Sequence, residues 1–98
     1  MEVALNVVLK DAYGEDFKLG DTVLTLEKAL YQSLVAVTEK DKNIDGEEKY
    51  KRHKLTEKIV GKESADLSIE ELAKLKDLTG KLWGVGLVGA IWDILEAK

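Results

Sequence analysis

Four groups of residues in this chain have types and spacings that chemistry uses. Gly84-Val85-Gly86-Leu87-Val88-Gly89 matches the G-x-G-x-x-G spacing of a dinucleotide-binding loop. In such a loop the backbone lies against a pyrophosphate at the start of a helix. The loop must follow a parallel strand, open a βαβ unit and have an acidic residue about 20 residues downstream. Here the preceding pattern is helical, and the sequence ends nine residues after Gly89. The glycines are therefore expected to set the opening turn of a helix and to let another backbone approach closely.

Asp41-x-Asn43-x-Asp45-Gly46 matches the first half of a calcium-binding loop between two helices. That chemistry needs a bidentate carboxylate at loop position twelve. Arg52 stands there, a cation where the site needs an anion. The expected role of Asp45 is to cap the following helix.

Lys49-Tyr50-Lys51-Arg52-His53-Lys54 interleaves cations with an aromatic ring, as phosphate contacts plus base stacking require. Lys49, Lys51, Arg52 and Lys54 form the candidate basic patch. Glu47, Glu48 and Glu57 flank the run, which would wrap around a helix rather than form one stripe. A solvated helix surface is the simpler reading.

His53 is the single histidine and there is no cysteine, so a histidine–cysteine metal set and thiolate chemistry are both excluded. Ser33, Ser64 and Ser68 are the available hydroxyl partners for His53, and none stands in a nucleophile-elbow pattern. The paired acids Glu47-Glu48 and Glu70-Glu71 fall in first helical turns, where the helix dipole accounts for them. No catalytic residue, metal ligand or cofactor is assigned.

The elements that position these groups come from patterning. The 98 residues fit one domain with one core, residues 1–98, comprising a β-hairpin region (1–24) and a helical region (25–98). Apolar residues make up 45% and charged residues 35%, the balance of a globular chain with a solvated surface. The net charge of −4 disfavours general affinity for nucleic acid or anionic membrane. No apolar run reaches the ~20 residues that cross a bilayer, and the first residues do not read as a signal peptide. A cytoplasmic location in a bacterial host cell is expected.

Val3, Leu5, Val7 and Leu9 alternate with mostly polar neighbours, which predicts a strand with one buried face. DAYGED is turn chemistry, and FKL is expected to return along that strand as a hairpin. Gly20-Asp21 makes a second turn before a short extended TVL.

Four helices should follow, giving an α+β fold that is mostly helical. The first runs from Leu26 to about Lys40, capped by Thr25, with Leu26, Ala29, Leu30, Leu34 and Val37 inward. The second runs from about Gly46 to Val60, capped by Asp45 and closed by Gly61. Its apolar face of Tyr50, Leu55, Ile59 and Val60 is sparse. The third starts at Ser68, whose spacing to Glu71 is that of a capping box. Ile69, Leu72, Ala73, Leu75 and Leu78 form its predicted stripe, and Gly80 should end or kink it. The fourth, about Val85 to Ala97, is apolar almost all round, so it must be buried in the core or against a partner. Trp83, Leu87, Ile91, Trp92 and Leu95 are the candidate contact residues, since aromatic anchors are enriched at interface hot spots.

LSIEELAKLKDLTGKLW and LVGAIWDILE, with the N-terminal LKDAYGEDFK and LTLEKAL, resemble a set of small proteins encoded by bacteriophages and prophages. The likeness spans most of the chain and departs at Gly84-Val85-Gly86, where the set implies a bulkier start to the last helix. Its motifs are structural, so it implies a context and no catalytic residue. Together these readings predict a small non-enzymatic protein-interaction protein of phage or prophage origin, homo-oligomeric, serving virion assembly or binding a host protein. The partners expected are a second copy or another protein. A nucleic-acid-binding regulator using the basic segment is the alternative.

Overall fold

The computed structural model describes residues 1–36 and 44–96. Its elements in chain order are β1 (Glu2–Ala4), β2 (Lys18–Leu19), β3 (Thr22–Val23), α1 (Leu26–Val35), α2 (Gly46–Ile59), β4 (Ser64–Asp66), α3 (Ile69–Leu82) and α4 (Val85–Leu95). The fold is α+β and mostly helical, as the patterning predicts.

The period-two stretch buries the expected face, with Val3, Leu5 and Leu9 inside. Its pairing differs from the expected single hairpin. β1 pairs antiparallel with β4, Val3 opposite Ala65, so the helical region supplies the first strand's partner. Beyond Ala4 the segment meets other groups. The Leu5 and Val7 carbonyls accept from the Glu27 and Leu26 amides. These belong to the first turn of α1, whose N–H groups have no partner within the helix. The strand thus docks the helix start that Thr25 caps through the Lys28 amide. The DAYGED turn does form, with Asp11 accepting from the Tyr13 and Glu15 amides. Phe17 then donates to the Leu9 carbonyl, which begins the expected return. The two-residue strands β2 and β3 pair across Gly20-Asp21.

α1 buries Leu26, Ala29, Leu30 and Leu34, and ends at Val35, earlier than predicted. Val37, Asp41 and Asn43 lie outside the described residues. α2 starts at the predicted cap, Asp45 accepting from the Glu48 amide, and buries Leu55, Ile59 and also Arg52. Tyr50 and Val60 are exposed instead of inward. Gly61 has φ +78°, the left-handed conformation that closes a helix and favours glycine.

α3 opens with the full capping box, Ser68 and Glu71 each bonding the other's backbone N–H. A Ser-to-Ala change at such a cap costs about 1 kcal/mol. Two expectations for this helix are corrected. Ile69 is 86% exposed and Ala73 is exposed. At about 100° per residue, Ile69 lies roughly 120° around the helix from Leu75. The true inward stripe is Leu75, Leu78 and Thr79, with Leu72 and Leu82 beside it. Gly80 does not end the helix, which continues to Leu82.

One cluster of buried residues joins β1, α1, α2, β4, α3 and α4, with Phe17, Leu72, Trp83, Ala90, Trp92 and Ile94 packed against it. The Gly80 backbone faces the Trp92 ring, so a Cβ there would sit 3.4 Å from Cζ2, an ordinary contact. Glycine inside a helix is less favourable than alanine by about 0.8–1.0 kcal/mol. Gly80→Ala is therefore expected to stabilise the fold by about 0.5–1 kcal/mol in urea denaturation. Destabilisation would show that Trp92 lies closer to α3 than described.

Candidate interaction surface

The fate of α4 decides which of its residues can meet a partner. Leu87, Ile91 and Leu95 follow one another four residues apart and are buried in the chain's own core. Trp83, Trp92, Ala90 and Ile94 are partly buried against the same core. What remains outward is Val85, 94% exposed, with Gly86, Gly89, Asp93 and Glu96. The surplus apolar surface expected of this helix is thus absorbed internally, leaving a solvent face of small and acidic residues around one valine. The glycines are corrected too. An added Cβ at Gly84 or Gly89 would meet nothing within 4 Å, and one at Gly86 would meet only the Phe17 ring at 3.6 Å. Among the described residues no other backbone approaches them; Gly84 is the α4 N-cap.

Both tryptophans are anchored by the same device. Trp83 Nε1 donates to Ser33 Oγ at 2.9 Å, and Ser33 donates to the Ala29 carbonyl of its own helix. Trp92 Nε1 donates to Thr79 Oγ1 at 3.1 Å, and Thr79 donates to the Lys76 carbonyl. Each hydroxyl both accepts and donates, so an indole N–H and a buried hydroxyl are satisfied together. Lys76 adds a third link, with its ammonium 5.0 Å from the centre of the Trp92 ring and paired with Glu96. Ser33, by type an available hydroxyl partner for His53, is bonded instead to Ala29 and Trp83, and no motif marks Thr79. An apolar helix carrying a hydroxyl on its inward face was the available signal.

The basic run is divided by the helix. Arg52 is 7% exposed and its Nε lies 3.3 Å from Glu48, so it belongs to the packed side of α2. Burying a guanidinium is tolerable because its stem packs on apolar surface and its head meets a carboxylate. Lys49, Lys51 and Lys54 remain outward. Lys51 lies 3.6 Å from Glu47, and Lys54 lies 3.7 Å from Glu57, which also meets His53. Ser64 donates to Glu2 and Ser68 caps α3, so His53 has none of the three serines as a bonded partner. Among the described residues no group of three or more acidic or imidazole side chains is gathered to hold a metal ion. Among the same residues, no helix is long and apolar enough to cross a membrane.

Between α2 and α3 lies an open groove of about 530 Å³. Leu55 forms its base, Tyr50 stands on its wall, and Lys51, Lys54, Lys58, Lys74, Glu70 and Glu71 line the rest. Two ion pairs join α2 to α3 here. Lys58 bonds Glu71 at 2.8 Å, and Lys74 bonds Glu48, which also holds Arg52. The Lys74 hydrogen bond is the main reason the Glu48 carboxyl titrates below its ordinary range; burial opposes it and Arg52 reinforces it. For Glu71, burial pushes the pKa up, but the bonds from Lys58 and the Ser68 amide outweigh it and leave it lowered. A separate apolar surface gathers Leu19, Tyr31 and Val60 between the β2–β3 hairpin, α1 and the end of α2.

Comparison of the chain with protein-family models, curated proteins and solved structures returns no match.

Two predictions follow from these anchors. Thr79→Val keeps the side chain's shape but leaves the Trp92 indole unpaired, and should cost about 1–3 kcal/mol in urea denaturation. Wild-type stability in that variant would remove the indole bond from the account. The second concerns pH. A carboxylate whose folded pKa is depressed stabilises the fold above its unfolded value, about 4.3 for Glu, and loses that contribution as pH falls through the folded value. Stability should therefore decline with acidification below that range, and Glu48→Gln should flatten the decline. Parallel pH profiles for the two proteins would contradict the assignment.

Proposed function

We propose that this chain is a small non-enzymatic protein-interaction module of phage or prophage origin, serving virion assembly or the binding of a host protein. The observation that carries the protein-binding part is the division of labour between polar and apolar side chains. Hydroxyls of the kind nucleophilic chemistry would use, Ser33, Ser64, Ser68 and Thr79, make structural hydrogen bonds. Four exposed aromatic and aliphatic side chains, by contrast, stand at grooves between elements: Tyr50 at the α2–α3 groove, and Leu19, Tyr31 and Val60 beside α1. Large apolar side chains held at concave surfaces suit protein contacts.

The phage or prophage setting rests on the resemblance of the LSIEELAKLKDLTGKLW and LVGAIWDILE segments. Self-association through α4 loses its premise, because Leu87, Ile91 and Leu95 lie in the core of a single chain. Contact is assigned instead to the grooves. The nucleic-acid alternative gains little from the basic run, since Arg52 is turned inward beside Glu48.

The test is capture from bacterial host lysate, followed by reconstitution with the purified partner. A saturable complex of defined stoichiometry with one identified protein is expected, together with no mobility shift of DNA or RNA at low salt. Salt-sensitive binding to nucleic acid, with no reconstituted protein complex, would overturn the reading.

A further inference from the structure

We propose that the α2–α3 groove receives a short acidic segment of the partner protein, anchored by one large apolar side chain; this rests on the interaction-module reading and names its site. The groove has an apolar base, Leu55, and an exposed aromatic wall, Tyr50, which is 59% exposed. A side chain seated between them would remove apolar surface from water on both partners. The surrounding charges specify what flanks that anchor. Four lysines line the groove against two glutamates, in a chain whose net charge is −4. The groove is a local reversal of the protein's overall sign.

The four lysines fall into two roles. Lys58–Glu71 and Lys74–Glu48 join α2 to α3, one bridge near each end of α2. They link the two helices that wall the groove. Lys51 and Lys54 are different. Their carboxylate neighbours stand at 3.6 and 3.7 Å, and their side chains are 60% and 55% exposed. Exposed pairs of this kind contribute little and exchange readily. The Lys54 ammonium also lies 5.3 Å from the centre of the Tyr50 ring. Both ammoniums can therefore turn to carboxylates on either side of an anchor at Tyr50. A phosphate backbone is a poorer occupant. The groove holds one exposed ring rather than a series of stacking platforms.

The full chain, isotopically labelled, is titrated with a synthetic peptide of aspartates and glutamates around a central phenylalanine. Amide shifts are expected across residues 50–58 and 70–74, weakening as salt is added. Serine in place of the phenylalanine, or Lys51→Glu with Lys54→Glu in a protein that keeps its dispersed spectrum, should each weaken binding about tenfold. Tyr50→Ser should do the same. The proposal is overturned if those amides do not shift, if a lysine-rich peptide shifts them equally, or if a single-stranded oligonucleotide shifts them at lower concentration. If the peptide fails while the chain still reconstitutes a complex with its captured partner, the groove is wrong and the module reading stands. If both fail, both are wrong.

Discussion

The docking of α4 is the constraint on which the rest of this structure depends. A helix of sequence VGLVGAIWDIL has almost no polar residue with which to face water. A small domain must cover most of it, and can do so with only three other helices and a few short strands. Leu87, Ile91 and Leu95 supply the buried ridge, a non-directional contact that would tolerate some sliding. The two indole–hydroxyl bonds remove that freedom. Trp83 reaches across to Ser33 on α1, while Trp92 reaches Thr79 on α3. The turn leading into α4 and the helix itself are thereby fastened to different elements. The Trp92 ring packs against α3 at Gly80, and Lys76 lies over that ring.

What the core absorbs determines what is left outside. Once α4 is fastened, its solvent face is two glycines, two acids and Val85, which offers little to a partner. The contact chemistry proposed for the protein lies on α2, a 14-residue helix that buries only two apolar side chains, Leu55 and Ile59. α2 is held by a few contacts of high value: Leu55, Ile59 and the Arg52 stem inward, and Glu48 and Lys58 bridging to α3. The same ion pairs that keep this sparse helix in place also define the walls of the groove. In the proposed reading, stability and recognition share Lys58, Glu71 and Lys74 here.

Much of the fold is legible in the sequence because its signals are local. Thr25, Asp45 and Ser68 announce helix starts, and each bonds the backbone N–H three residues on. Gly61 announces a stop by the conformation it adopts. The alternation of Val3, Leu5 and Leu9 reports one buried face whatever the partner. The missing parts depend on distant groups. Residues 64–66 are too short and too polar to read as a strand until β1 is laid beside them. Gly80 looks like a break because glycine is a poor helix former, yet the helix continues with Trp92 packed against it. Arg52 reads as part of a basic run because charge is visible in sequence and orientation is not. The candidate surface was legible only in part. Lys51 and Lys54 were identified, while Lys58, Lys74 and the groove itself require the crossing of α2 and α3. Of the candidate contacts on α4, Leu87, Ile91 and Leu95 face the core.

The most direct measurement of the central claim is hydrogen exchange at the two indole nitrogens, followed by NMR in the intact folded chain. If Trp83 and Trp92 fasten α4 through Ser33 and Thr79, both indole protons should be protected. The Trp92 proton should exchange only as fast as the core opens, alongside the amides of Leu75 and Ile91. Indole protons that exchange at the rate of free tryptophan while those core amides stay protected would contradict the account. They would show α4 held by apolar contact alone.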